Sequence, residues 1–236
     1  MSATRFAAVA AVAAVLLPLA ACQISNVDEG QLGQLEFVPT DCGRVGLCDF
    51  AGGIVANGAV TLAVRPTGYV GSLADLAVVT ADDTVLIAEA GVVTATESRW
   101  NLAAALPGRG DLEVIDLDGQ IVDLLPVEVL PPDRLHLVAR LGDAVGPSQD
   151  RPGYHEVWIV NAGEHVGFDA LPEYAGRDLM GRLAFTVELG QPLFDSLEAS
   201  AALEEGHLSA MPPAGEHPVR FILADGTALD VLIIAR

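Results

Sequence analysis

Two stretches of this chain follow one pattern. Residues 108–129, GRGDLEVIDLDGQIVDLLPVEV, and residues 215–236, GEHPVRFILADGTALDVLIIAR, each run Gly, ten residues, Gly, three residues, Asp. The matching positions are Gly108, Gly119 and Asp123, then Gly215, Gly226 and Asp230. In the first copy two apolar runs meet at Asp118-Gly119. That dipeptide accepts the positive φ angles of a type I′ turn, so the stretch predicts a β-hairpin. Upstream, GSLADLAVVT (71–80) and GRDLMGRLAFTVE (176–188) correspond loosely at almost the same offset. A repeat of about 105 residues predicts two similar domains in tandem, each the length of one β-sandwich.

Other strand signals agree. AVTLAV (59–64) alternates, with Val60, Leu62 and Val64 on one face. LAVVT (76–80) and TVLIAE (84–89) flank a turn at Ala81-Asp82-Asp83, and RWNLAAAL (99–106) ends at Pro107-Gly108. Short strands at this spacing point to a sandwich. The one helical candidate is DSLEASAALEEG (195–206), with Asp195 as cap, Glu198 three residues on and Gly206 as stop. Residues 140–153, RLGDAVGPSQDRPG, are rich in Gly, Pro and polar residues and predict a domain boundary.

The alternating strand at 59–64, the turn ADDTVL (81–86), Trp100, AALPGRGDLEV (104–114) and the Gly-centred last hairpin resemble bacterial immunoglobulin-like domains of group 2, modules of intimin- and invasin-like surface proteins. The resemblance covers residues 50–130 well and 155–236 poorly, because Pro212-Pro213-Ala214-Gly215 replaces the usual Pro-Gly. It implies a stalk, a spacer or an adhesive module without a catalytic site of its own.

The N-terminus supplies an address. Arg5 is the only charge before Asp28, and an Ala/Val/Leu run extends from Phe6 to Ala21. Its length falls short of the roughly 20 apolar residues of a membrane span and suits a secretory signal. Pro18 near its end would interrupt a permanent helix. Leu19-Ala20-Ala21-Cys22 resembles the lipobox of bacterial lipoprotein precursors, which implies a signal peptide over 1–21 and diacylglycerol on the Cys22 thiol. An ordinary signal peptide with a chance Cys is the alternative. Two or more fatty chains hold a protein at a membrane where one is marginal. In lipoproteins of two-membrane bacteria an Asp after the Cys often signals retention at the inner membrane, so Gln23 favours the outer membrane. Residues 22–36 then read as a tether reaching roughly 45 Å when extended.

With Cys22 acylated, Cys42 and Cys48 remain as an even pair. Two thiols do not close a structural zinc site, and no C-x-x-C motif is present. In an exported protein a small disulfide is expected, contributing about 2–2.5 kcal/mol by loop closure. Two free thiols are the alternative and need a reducing compartment. All 12 basic residues are Arg, against 32 acidic residues, for a formal charge of -20. Such a surface repels phosphate backbones, so nucleic acid is not an expected partner. Half the residues are hydrophobic, enough to build a core.

No enzyme template is present: no G-x-S-x-G, no H-E-x-x-H and no P-loop. His155, His165, His207 and His217 fall in the second half, without zinc-signature spacing. Asp116-Leu117-Asp118-Gly119 lacks the closing Glu of a calcium loop, although an irregular site with Asp82 or Asp83 stays open. Arg109-Gly110-Asp111 enters a strand after Pro107-Gly108, so it reads as turn chemistry. Trp100 and Trp158 have apolar neighbours and read as core.

The expectation is therefore all-β: two tandem immunoglobulin-like β-sandwiches, at 37–139 and 154–236, after the signal peptide and tether. The expected role is a non-enzymatic, lipid-anchored envelope module, structural, spacing or adhesive, with no cofactor and no metal site. Its expected partners are the membrane and other envelope proteins or surface ligands. A calcium- or saccharide-binding module using acidic loops is the alternative.

Overall fold

The structure, a computed structural model, describes residues 28–41, 50–198 and 200–236. Cys22, Cys42, Cys48 and the signal segment lie outside the described residues. Among the described residues no helix is long and apolar enough to cross a membrane.

The first sandwich contains β1 (Asp28–Glu29), β2 (Leu35–Asp41), β3 (Ile54–Val55), β4 (Ala59–Pro66), β5 (Ala77–Thr80), β6 (Leu86–Val93), β7 (Ser98–Ala104), β8 (Gly108–Ile115) and β9 (Ile121–Leu130). One sheet runs β1-β2-β4-β7-β6 and the other β3-β9-β8-β5. Lettered in chain order, these sheets are A-B-E-D and A′-G-F-C, the immunoglobulin arrangement. Strand alternation explains the core: Ser98, Trp100, Leu102 and Ala104 of β7 are buried while Arg99, Asn101 and Ala103 are exposed. Val60, Leu62 and Val64 share the buried face of β4, as the alternation predicts.

The second sandwich contains β10 (Arg134–Leu141), β11 (Ala144–Ser148), β12 (Glu156–Val160), β13 (Val166–Tyr174), β14 (Arg177–Asp178), β15 (Phe185–Leu189), β16 (His207–Ala210), β17 (Gly215–Leu223) and β18 (Ala228–Ala235). One sheet runs β11-β12-β18-β17-β15; the other joins β10, β13 and β14, with β16 on β13. The lettering repeats, with β12 parallel to β18 as β3 is parallel to β9. Among the described residues no strand stands at position D: α1 (Gln191–Phe194) and a 3-10 turn at Ser200–Glu205 occupy its place in the chain.

Four expectations change. The tether is shorter than 22–36, because residues 28–35 belong to the fold. The buried Asp123 carboxylate accepts the backbone N–H groups of Leu32, Gln34 and Leu35 at 2.8, 2.8 and 2.9 Å. A Cβ at Gly30 would collide with that carboxylate. The passage between cores lies at 131–133 rather than 140–153, since Leu135 and Leu137 pack into the second core. The 195–206 helix does not form as expected: Asp195 is the C-cap of α1 instead of an N-cap. Finally, only Gly119 of the Asp118-Gly119 pair has positive φ, at 76°, so the turn is not type I′. The Asp116 carboxylate holds it by accepting the N–H groups of Asp118 and Gln120.

The two sandwiches are joined by more than the chain between them. Residues 179–182 run beside β3 and β4: Val55 N–H donates to Met180 O, Met180 N–H to Gly53 O, and Ala59 and Arg182 exchange both bonds, at 2.8–3.0 Å. The Met180 side chain completes the first core, although it arises from the second half of the chain. Arg182 also pairs with Asp41 at 3.0 Å.

Candidate functional site

The outer face of β10 and β13 holds two of the buried carboxylates, Asp169 and Glu173. Alternation turns Leu135 and Leu137 of β10 and Val166, Phe168 and Ala170 of β13 toward the core. It turns Arg134, His136 and Arg140 of β10, with Asp169 and Glu173 of β13, the other way. Asp169 and Glu173 are only 4% and 5% exposed. Carboxylates that buried need partners.

Each has an Arg and a His. Arg134 donates Nε–H and Nη2–H to Glu173 at 2.8 and 2.7 Å. This hydrogen bond first, and the attraction of the carboxylate second, raise the Arg134 pKa further above its already high value. At the other end of the face, Arg140 Nε–H donates to Asp169 at 3.0 Å and His207 Nδ1 lies 2.6 Å from the same carboxylate. Beside it a cavity of about 230 Å³ at the junction is lined by Asp41, Asp169, Arg182 and Phe185.

The first group opens on solvent. His136, Glu173 and Asp178 line a cleft of about 960 Å³ together with Gln149, Tyr154 and His155. One ring nitrogen of His136 and one carboxylate oxygen from each of Glu173 and Asp178 lie within 4.8 Å of one another. β10, β13 and β14 are adjacent strands, and Glu173 stands directly opposite Asp178 in the ladder. His136 Nδ1 is buried and makes no hydrogen bond. An imidazole and two carboxylates facing a cleft can hold a divalent cation or move a proton.

The residues singled out from sequence do not converge. His155 is exposed and its Nδ1 accepts the Asp230 N–H at 3.1 Å. His165 meets Ser209 and Glu198 at 2.8 and 2.9 Å. His217 is buried against the Pro213 carbonyl at 2.7 Å. Asp82 closes its own turn on the Thr84 hydroxyl and N–H, which lower its carboxyl pKa. Arg109-Gly110-Asp111 lies within β8, paired along β9 and not on a projecting loop. Trp100 and Trp158 are core residues, their indole N–H groups donating to Ser98 and Glu156 at 2.8 and 2.9 Å. The sequence reading missed His136, Glu173 and Asp178. The one available signal was the polar phase of RLHLVARL, where His136 alternates with two leucines.

No family model matches the chain, and no curated protein matches it. Solved structures with some likeness include the adhesin InvE of Yersinia pseudotuberculosis, at 15% identity over 78% of this chain and 56% of that one, TM-score 0.31. The Escherichia coli adhesin FdeC is 13% identical over 89% and 64%, TM-score 0.29. The Bacteroides ovatus protein SGBP-B, solved with a mixed-linkage heptasaccharide, is 11% identical over 83% and 46%, TM-score 0.35. This chain spans less than two thirds of each of the three. With TM-scores this low, nothing about function rests on these likenesses.

Proposed function

We propose that the chain is a lipid-anchored, non-enzymatic module of the bacterial cell envelope, whose two sandwiches act as one rigid spacer presenting a binding surface to envelope partners. The observation that carries this reading is the junction. Four backbone hydrogen bonds between residues 53–59 and 180–182, with Met180 buried in the first core, tie the sandwiches as strands of one sheet are tied. A hinged pair would have a smaller, more polar contact. The Leu19-Ala20-Ala21-Cys22 sequence supports the anchor. The acidic-loop alternative gains no support, because among the described residues neither Asp82 nor Asp116 falls in a group of three side chains spaced to hold an ion.

The test is fractionation of producing cells with mass spectrometry of residue 22. The chain is expected in membranes with acyl mass on Cys22, and Cys22→Ala is expected to release it. A soluble chain with a free thiol at 22 contradicts the anchor, and turnover of any substrate contradicts the non-enzymatic reading.

A further inference from the structure

We infer that His136, Glu173 and Asp178 form a binding site for one divalent transition-metal ion of zinc type, open to the cleft of the second sandwich. This goes beyond the spacer reading and does not depend on the lipid anchor. The donor atoms come from three neighbouring strands, so the sheet rather than a loop sets their spacing.

The distances separate this arrangement from an ordinary hydrogen-bonded histidine. His136 Nδ1 lies 3.3 Å from Glu173 Oε2, and Nε2 lies 3.5 Å from Asp178 Oδ1. The buried Nδ1 is unpartnered all the same, the contact being too long or too far off the nitrogen's axis for a hydrogen bond. A hydrogen bond needs the acceptor on that axis. A shared ion needs the second ligand off it: two atoms each about 2.0–2.1 Å from a tetrahedral ion sit about 3.3–3.4 Å apart. The Nδ1–Glu173 separation fits that figure, while Asp178 faces the other ring nitrogen and reaches such an ion by turning its exposed side chain toward Nδ1.

Charge and support agree. Glu173 is fixed by two bonds from Arg134, and a carboxylate offers about four lone-pair directions, so acceptor capacity remains for an ion. Glu173 and Asp178 are acidic against the one Arg134, so these three side chains carry a net negative charge before an ion arrives. One nitrogen and two carboxylate oxygens suit zinc or a neighbouring first-row ion better than calcium, which takes six to eight oxygens. The cleft leaves a coordination position for water or a carboxylate of a partner.

Calorimetric titration of the full chain in detergent with zinc chloride tests the site, alongside NMR of the imidazole signals. One zinc ion per chain is expected, with the His136 signals shifting and the other four histidines unmoved. His136→Ala and Asp178→Asn are each expected to weaken binding about tenfold or more, while His165→Ala, whose ring meets Ser209 and Glu198 and does not line the cleft, binds as the parent does. Asp178 is exposed, so its substitution keeps the test valid should His136→Ala fail to fold. Absence of binding overturns the proposal. So does parental affinity in Asp178→Asn, or calcium displacing zinc without moving the His136 signals.

Discussion

Asp123 and Asp230 hold the same place in the two copies of the terminal hairpin, yet they do different work. Asp123 is fully buried and accepts four backbone N–H groups, those of Leu32, Gln34, Leu35 and Leu124. Asp230 is partly exposed and faces Arg220 and His155 at 3.5 and 3.7 Å. The difference lies in what reaches the hairpin. The first sandwich has an N-terminal segment, residues 28–35, that turns over Asp123. At Asp230 the chain offers His155, whose N–H bonds the Asp230 carbonyl. A repeated residue thus serves as a buried anchor in one copy and as a surface charge in the other, decided by a segment outside the repeat.

Breaking the two aspartates should separate them. Asp123→Ala leaves buried N–H groups unsatisfied and is expected to cost about 3 kcal/mol or more. Asp230→Ala, which removes screened ion pairs, is expected to cost less than about 1 kcal/mol. Urea denaturation of each variant measures both. Equal losses would mean that residues 28–35 do not depend on Asp123.

Met180→Ala probes the other asymmetry, a residue of the second half that completes the first core. Truncation there is expected to cost about 2–5 kcal/mol and to split one thermal transition into two in calorimetry. The two indoles give a sharper pair. Glu156→Gln disturbs a buried carboxylate that accepts both Trp158 Nε1–H and the Leu137 N–H, at an expected cost of about 1–3 kcal/mol. Ser98→Ala removes one neutral bond to Trp100 and is expected to cost about 1 kcal/mol.

The smallest effect concerns pH. Hydrogen bonds from Arg99 and then Arg65 lower the Glu97 carboxyl pKa below 4.5. A lowered carboxylate stabilises the fold fully above its unfolded pKa, and that contribution is lost as pH falls through the folded value. Glu97→Gln is therefore expected to flatten slightly the acid limb of the stability curve. An unchanged limb would leave the pair energetically silent.

Local features of this fold were legible in sequence, and long-range ones were not. Alternation in 59–64 placed Val60, Leu62 and Val64 on one face because a strand has a two-residue period. The spacing of Gly, three residues and Asp matched the two terminal hairpins because both need the same turn. Residues 28–36 read as tether because the group that orders them, Asp123, lies far along the chain. Pro131-Pro132 marked the passage between sandwiches better than the longer polar run at 140–153, whose residues carry β10 into β11. His136 went unread because an outward histidine on a half-buried strand is ordinary, and its partners lie on two other strands. The Met180 insertion left no periodic trace, since an isolated apolar side chain reads the same in either core.

Backbone amide NMR relaxation of the full chain tests the central claim most directly. If the junction at 53–59 and 180–182 makes one rigid body, amides of both sandwiches will report a single rotational diffusion tensor. Two separate tensors, with shorter correlation times for each sandwich, would contradict the spacer account.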